Sequence, residues 1–206
     1  YVSYAPLVTL AGGVPVPYHC TMENNFEIDI DDISTLITKK TKGILINYPN
    51  NPSGATFSKN ELTALLKLAQ KHEFYVISDE IYAELTYGQD HVCFSSLPGA
   101  KPYTILLSGF SKSFAMTGWR VGYVCAPENI LSQLVKIHQY NILCAPSLSQ
   151  KAACEALSGK RDFIKDMKTQ YEQRMNFIYK RFTDLGFQVV KPSGAFYIFP
   201  NLKHLG

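Results

Sequence analysis

Apolar residues fall into short, dense runs separated by longer stretches of helical period. Residues 43–47, 74–78 and 103–107 are compact apolar runs, each suited to a strand buried on both faces. A fourth run, 119–125, alternates apolar and polar positions as a strand does. Between the first two, Ser58 and Glu61 have the spacing of a capping box, and Leu62, Leu65, Leu66 and Ala69 share one face of the helix that it opens, predicted to run to about His72. A shorter helix is predicted over 29–40, with aspartates at its start and lysines at its end, as the helix dipole favours. Gly12-Gly13 and alternate prolines at 15 and 17 predict loop or extended edge for the first 18 residues.

After Pro127 the pattern changes. Residues 128–140, 147–157 and 161–184 are three helical segments, and 187–190 and 196–199 read as two strands around Pro192-Ser193-Gly194. Strands alternating with helices predict an α/β fold of three layers, α/β/α, with a mostly parallel sheet. The division expected is a large domain over 1–160, its first strand missing, then a long connecting helix and an incomplete, smaller α+β domain over 161–206.

Composition narrows the function classes. With 20 basic against 17 acidic residues the net charge is only +3, and the densest basic spot, Lys39, Lys40 and Lys42, is expected to be solvated surface. Neither nucleic acid nor a membrane is indicated as a partner. The cysteines Cys20, Cys93, Cys125, Cys144 and Cys154 are odd in number and contain no Cys-x-x-Cys pair, which suits reduced thiols in the cytoplasm. The histidines His19, His72, His91, His138 and His204 show no metal-ligand spacing. The chain opens without methionine on Tyr1 and stops just past an apolar run, and it is expected to be an excised piece.

The chemistry gathers where the strands end, the place at which open parallel sheets bind ligands. Asn51 follows the first apolar run, Asp79 the second and Lys112 the third. Each has an ordinary explanation: a turn former before proline, a helix N-cap and a surface lysine. Tyr82, expected on one helical face with Asp79, could equally be a packing residue. Together they describe something more specific. An amine at the end of a buried strand is suited to forming an imine, because burial disfavours its charged form. The small and hydroxyl-bearing residues from Ser108 to Thr117 let a phosphate approach backbone N–H groups, and Arg120 offers it a planar cation. A pocket for an aldehyde bearing a phosphate is a pyridoxal phosphate site. A carboxylate such as Asp79 can hold the pyridine nitrogen protonated, making the ring an electron sink.

Asn51-Pro52-Ser53-Gly54, Ser78-Asp79-Glu80-Ile81-Tyr82 and Ser111-Lys112 through Gly122 resemble three signature segments of the fold-type I, class I and II aminotransferases, in the family's order. Ala11-Gly12-Gly13-Val14-Pro15-Val16 is also similar, so the likeness covers nearly the whole chain, and the subgroup it resembles is the aspartate/aromatic aminotransferases. The resemblance implies that Lys112 forms the Schiff base and moves the proton at the substrate's α-carbon. It implies further that Asp79 pairs with the pyridine nitrogen, and that Asn51 and Tyr82 bond the cofactor's phenolate oxygen, Asn51 also touching substrate. Arg120, with Ser111 or Ser108 beside it, would bind the phosphate, and Tyr1 would stack on the ring. Ser53 replaces the commoner threonine. Relative to the family, an N-terminal segment and the C-terminal arginine that clamps the substrate carboxylate are missing.

The activity implied by this resemblance is amino transfer between an aspartate-type or aromatic amino acid and a 2-oxo acid, in a homodimer, with no metal. A carbon–sulfur β-lyase of the same fold is the alternative. A third reading is that the chain alone is an inactive fragment with weak cofactor affinity.

Overall fold

Capping and side-chain pattern set the first helices. In the computed structural model, which describes residues 1–203, Ser58 Oγ accepts from Glu61 N–H and the Glu61 carboxylate accepts from Ser58 N–H, opening α3 (Lys59–His72). Leu62, Leu65, Leu66 and Ala69 are its buried face, as their spacing predicts. They pack with Ile46, Tyr48, Phe74, Val76, Phe94 and Leu97 into the main core. Positions 204–206, His204 included, lie outside the described residues.

The sheet has four strands in chain order: β1 (Gly43–Asn47), β2 (Tyr75–Asp79), β3 (Thr104–Gly109) and β4 (Gly122–Cys125). β1, β2 and β3 are parallel, with Asn47 opposite Asp79 and Asp79 opposite Leu107. Parallel neighbours need a crossover, and α3 supplies it between β1 and β2. β4 is antiparallel to β3, because the turn from 110 to 121 returns the chain directly along the same edge. The sheet is therefore mostly parallel, and the three parallel strands end together.

Four local expectations are corrected. The N-terminal segment holds a helix, α1 (Tyr4–Leu10), before the irregular glycine- and proline-bearing stretch. The second helix, α2 (Ile30–Leu36), is capped by the Asp29 side chain on Asp31 and Asp32 N–H but stops before Lys39 and Lys40, which lie in the turn that follows. Asp79 and Tyr82 do not share a helix: β2 ends at Asp79 and the chain turns into a short 3-10 segment, Ala83–Leu85. The runs 187–190 and 196–199 make only an isolated antiparallel bridge, Val189 with Pro200. The intervening backbone is engaged elsewhere, Ser193 N–H donating to Gly54 C=O and Ala195 N–H to Leu85 C=O.

Three further helices complete the chain: α4 (Glu128–Asn141), α5 (Ser147–Ser158) and α6 (Asp162–Asp184). Met167 and Tyr171 of α6 pack with Ile81, Tyr82, Leu85, Ala195 and Tyr197 in a second, smaller core. That core brings the last described segment onto the ends of the parallel strands.

Candidate active site

Lys112 sits in the turn after β3, half-buried, its Nζ 5.7 Å from the centroid of the Tyr82 ring and 5.5 Å from that of Phe196. Among the described residues no carboxylate lies within ion-pairing distance of it. The turn is held by Phe114 and Met116 N–H donating to Phe110 C=O. Two of its non-glycine residues are left-handed, Ala115 at φ 53° and Arg120 at φ 52°. Such backbone is strained for side chains larger than glycine and clusters at functional sites.

Asp79 closes β2 and is half-buried. Its Oδ1 accepts from Ile81 N–H at 3.1 Å, which turns the chain toward Tyr82. Its Oδ2 accepts from the Tyr4 hydroxyl at 2.7 Å. Burial, then the bond to Asp79 and its negative charge, push the Tyr4 phenol well above its ordinary range.

Tyr82 is buried, and its hydroxyl lies 2.6 Å from that of Tyr197. Asn51 Nδ2 donates to the same Tyr197 hydroxyl at 3.3 Å. Burial, the bond to Tyr197 and the charges of Tyr197 and Asp79 push the Tyr82 phenol up, opposed only weakly by Asn51. Asn51 is itself fixed from behind, its N–H donating to Asn47 Oδ1 at 3.0 Å, while Asn47 Nδ2 donates to Asp79 C=O at 3.1 Å. The expected residues Lys112, Tyr82, Asn51 and Asp79 are thus brought to one place.

Of the phosphate-binding candidates, Arg120 and Ser111 are joined through Thr117, while Ser108 is not in that chain. Arg120 is exposed and donates from Nη1 to Thr117 C=O at 3.0 Å, and Thr117 Oγ1 donates to Ser111 C=O at 2.8 Å. Ser108 Oγ makes a long bond, 3.5 Å, to Glu80 C=O. Tyr1 is 61% exposed and meets Tyr4 edge-on, centroids 5.6 Å apart.

Tyr4 and Tyr197 were not among the residues expected from sequence. Tyr4 lies three positions past Tyr1 in a stretch predicted as loop, and only the helix α1 aims its hydroxyl at Asp79. Tyr197 is one aromatic in an apolar run. Its role depends on an approach across 115 positions to Tyr82, for which the sequence carries no signal. Among the described residues no cluster of His, Cys, Asp and Glu could hold a metal ion, and no helix is long and apolar enough to cross a membrane.

Known proteins place this geometry in context. Residues 1–205 match the family described as Aminotransferase class I and II. The chain is 42% identical over 209 residues to aromatic-amino-acid aminotransferase 2 of Thermococcus litoralis, covering all of this chain and 54% of that protein. It is also 42% identical over 209 residues to an aspartate aminotransferase of Pyrococcus abyssi, with the same coverage. A Thermus thermophilus aspartate aminotransferase structure, a single mutant, superposes with a TM-score of 0.97 at 35% identity, over 100% of this chain and 54% of that one. The chain therefore spans about half the length of the relatives it matches. With matching sequence along its whole length and a matching fold around the lysine turn, this chain belongs to the class I and II aminotransferase family.

Proposed function

We propose that the chain carries the cofactor-binding part of a pyridoxal phosphate-dependent aminotransferase that moves an amino group between an aspartate-type or aromatic amino acid and a 2-oxo acid. The observation that carries this reading is the convergence of one amine, one carboxylate and two neutral hydrogen-bonding groups at the ends of adjacent parallel strands: Lys112 over the Tyr82 ring, Asp79 beside it, and Asn51 joined to Tyr82 through Tyr197.

The donor set fits the cofactor. Among the site residues named above Lys112 alone has an amine that can form an imine with an aldehyde, and its Nζ meets aromatic faces. Asp79 would face the pyridine nitrogen, with Tyr4 holding the carboxylate in place. Asn51 and Tyr82 would bind the ring oxygen. Arg120 keeps N–H groups beyond the one given to Thr117, and with Ser111 and Ser108 would take the phosphate. Tyr1 would lie against the ring. When bound, pyridoxal phosphate supplies an electron sink for a carbanion at the amino acid's α-carbon. Lys112 would then be the base that moves the proton at that carbon, and Asp79 would hold the pyridine nitrogen protonated.

The relatives named above are aminotransferases, and transfer rather than carbon–sulfur cleavage is the outcome we assign. We further propose that two subunits assemble, and that the protein works in the cytoplasm, which five free cysteines suit. We also propose the division at residue 160, supported by the length of α6, although the small core joins α6 to Ile81, Tyr82 and Leu85 across it. The test is to load the protein that carries this chain with pyridoxal phosphate. A visible absorbance band, abolished by borohydride and absent from Lys112→Ala, together with 2-oxoglutarate-dependent transfer from aspartate or phenylalanine, is expected. No band in the wild type overturns the reading, and pyruvate release from cysteine conjugates without transfer replaces it with the lyase.

A further inference from the structure

The residue after Asp79 does no chemistry in this scheme, yet it is among the most fully bonded side chains in the protein. Glu80 is 2% exposed. Its Oε1 accepts from the Ser78 hydroxyl at 2.8 Å, the Phe94 N–H at 2.9 Å and the Tyr48 hydroxyl at 3.0 Å, a hydroxyl that also lies 3.1 Å from Val92 C=O. Its Oε2 lies 2.6 Å from His91 Nε2. The Tyr48 ring, itself fully buried, stacks on the His91 ring at 5.0 Å between centroids. The backbone is held as well: Glu80 N–H donates to Leu107 C=O, and Glu80 C=O accepts from Ala83 N–H.

These partners come from every strand end that carries a candidate site residue. Tyr48 follows Asn47, which fixes Asn51. Ser78 and Glu80 flank Asp79, and Ala83 follows Tyr82. Leu107 and Ser108 lead into the lysine turn. The fourth donor, His91, ties in the 88–94 loop. An ionised carboxylate offers about four lone-pair sites and no proton, so four donors can be satisfied at once. A carboxamide cannot do this, since its NH2 would meet a donor. Glu80 takes three donors on Oε1 and one on Oε2 and is only 2% exposed, so its carboxylate faces protein rather than a ligand and its part is architectural.

We propose that Glu80 is a positioning residue for the candidate site, its buried carboxylate pinning the ends of β1 and β2 to the 88–94 loop while its backbone bonds to β3, so that Asn51, Asp79 and Tyr82 keep their places around the cofactor. The inference rests on the pyridoxal phosphate reading above. Glu80→Gln preserves size and tests the charge and acceptor count alone. The measurements are the dissociation constant for pyridoxal phosphate and the visible circular dichroism per bound cofactor, which reports how asymmetrically the ring is held, both on the protein that carries this chain. Glu80→Gln is expected to weaken binding about tenfold and to reduce the visible dichroism at least about twofold, the scale of losing a group that orients a site.

His91→Asn, which removes one donor of the four, is expected to move both in the same direction by less. It serves alone if Glu80→Gln does not fold. Ser58→Ala, which removes a cap of α3 far from the hub in the hydrogen-bond pattern, is the control for stability: it should lower the melting temperature and leave both readouts unchanged. Wild-type affinity and dichroism in the hub variant that folds overturn the inference while leaving the cofactor reading intact. So do changes no larger than those of Ser58→Ala. A wild type that binds no cofactor overturns both.

Discussion

The Tyr4 hydroxyl donates a 2.7 Å hydrogen bond to Asp79 Oδ2, linking α1 to the end of β2 across 75 positions of sequence. A hydrogen bond to a charged group contributes about 1.5–3 kcal/mol. Here it also fixes the direction of a carboxylate whose other oxygen is held by Ile81 N–H. Tyr4→Phe removes the bond and leaves the ring. The expected outcome is roughly tenfold weaker binding of pyridoxal phosphate, about 1.4 kcal/mol, with folding retained. Titration of the visible band in the variant checks it, and unchanged affinity would show that Asp79 keeps its place without Tyr4.

Tyr197 is the link between Asn51 and Tyr82, and the raised Tyr82 phenol is partly its doing. Tyr197→Phe should lower the Tyr82 phenol by removing the hydrogen bond and the charge of Tyr197, while burial, the largest cause, still holds it above its ordinary range. Ultraviolet titration of tyrosinate in Tyr197→Phe, set against the double variant that also carries Tyr82→Phe, should isolate the Tyr82 phenol and show it ionising at lower pH than in wild type. Stability should fall by about 1 kcal/mol, the net worth of one buried hydrogen bond. Superimposable titration curves would argue against the link.

The features that could be foreseen in the sequence depend on local order. The α3 cap needs only Ser58 and Glu61 three positions apart, and the placing of Asn51, Asp79 and Lys112 needs only that each follows an apolar run. The parallel register then brings those ends together, Asn47 opposite Asp79 opposite Leu107. The features that could not be foreseen depend on distant approach. Strand propensity in 187–190 and 196–199 is overridden because the backbone at 193–195 bonds to Gly54, Leu85 and Tyr87. The prolines at 192 and 200 have no N–H to give a ladder. α1 is missed because glycine and proline follow it closely, and they dominate a reading by composition. Tyr4 and Tyr197 are legible only once those two segments are placed.

Glu80 carries a consequence for acid stability. Burial alone would raise its carboxyl, but the His91 hydrogen bond, the Phe94 N–H, the His91 charge and the Ser78 hydroxyl together outweigh it and hold it below the usual glutamate range. An unfolded glutamate titrates near ~4.3. The folded state therefore binds fewer protons than the unfolded one in this window. The carboxylate's contribution is complete above about 4.3 and is lost as pH falls through the lower folded value. Urea midpoints measured from pH 7 to pH 3 should fall more steeply for wild type than for Glu80→Gln. Parallel slopes would mean that the hub does not titrate with folding.

Gly194 marks where the last described segment docks. A Cβ there would sit 2.5 Å from both Cβ and Cγ of Pro49 and 2.9 Å from Leu85 C=O. Its neighbour in this contact, Gly54, has φ +71° and would place a Cβ 2.5 Å from Pro192 Cβ. Both obstacles are rigid, a proline ring and backbone, so the side chain cannot be accommodated by a rotamer change. Gly194→Ala must push 193–195 away from the loop that carries Asn51, stretching the bonds from Ser193 N–H to Gly54 C=O and from Ala195 N–H to Leu85 C=O. Overpacking of this kind costs about 1–3 kcal/mol. The same shift carries Tyr197 away from Asn51 and Tyr82, so cofactor affinity should fall together with melting temperature. A control substitution at Gly186, which is left-handed at φ +84° but has open space around its Cβ, should lower stability and spare affinity. If Gly194→Ala spares affinity as well, Tyr197 does not reach the site through this contact.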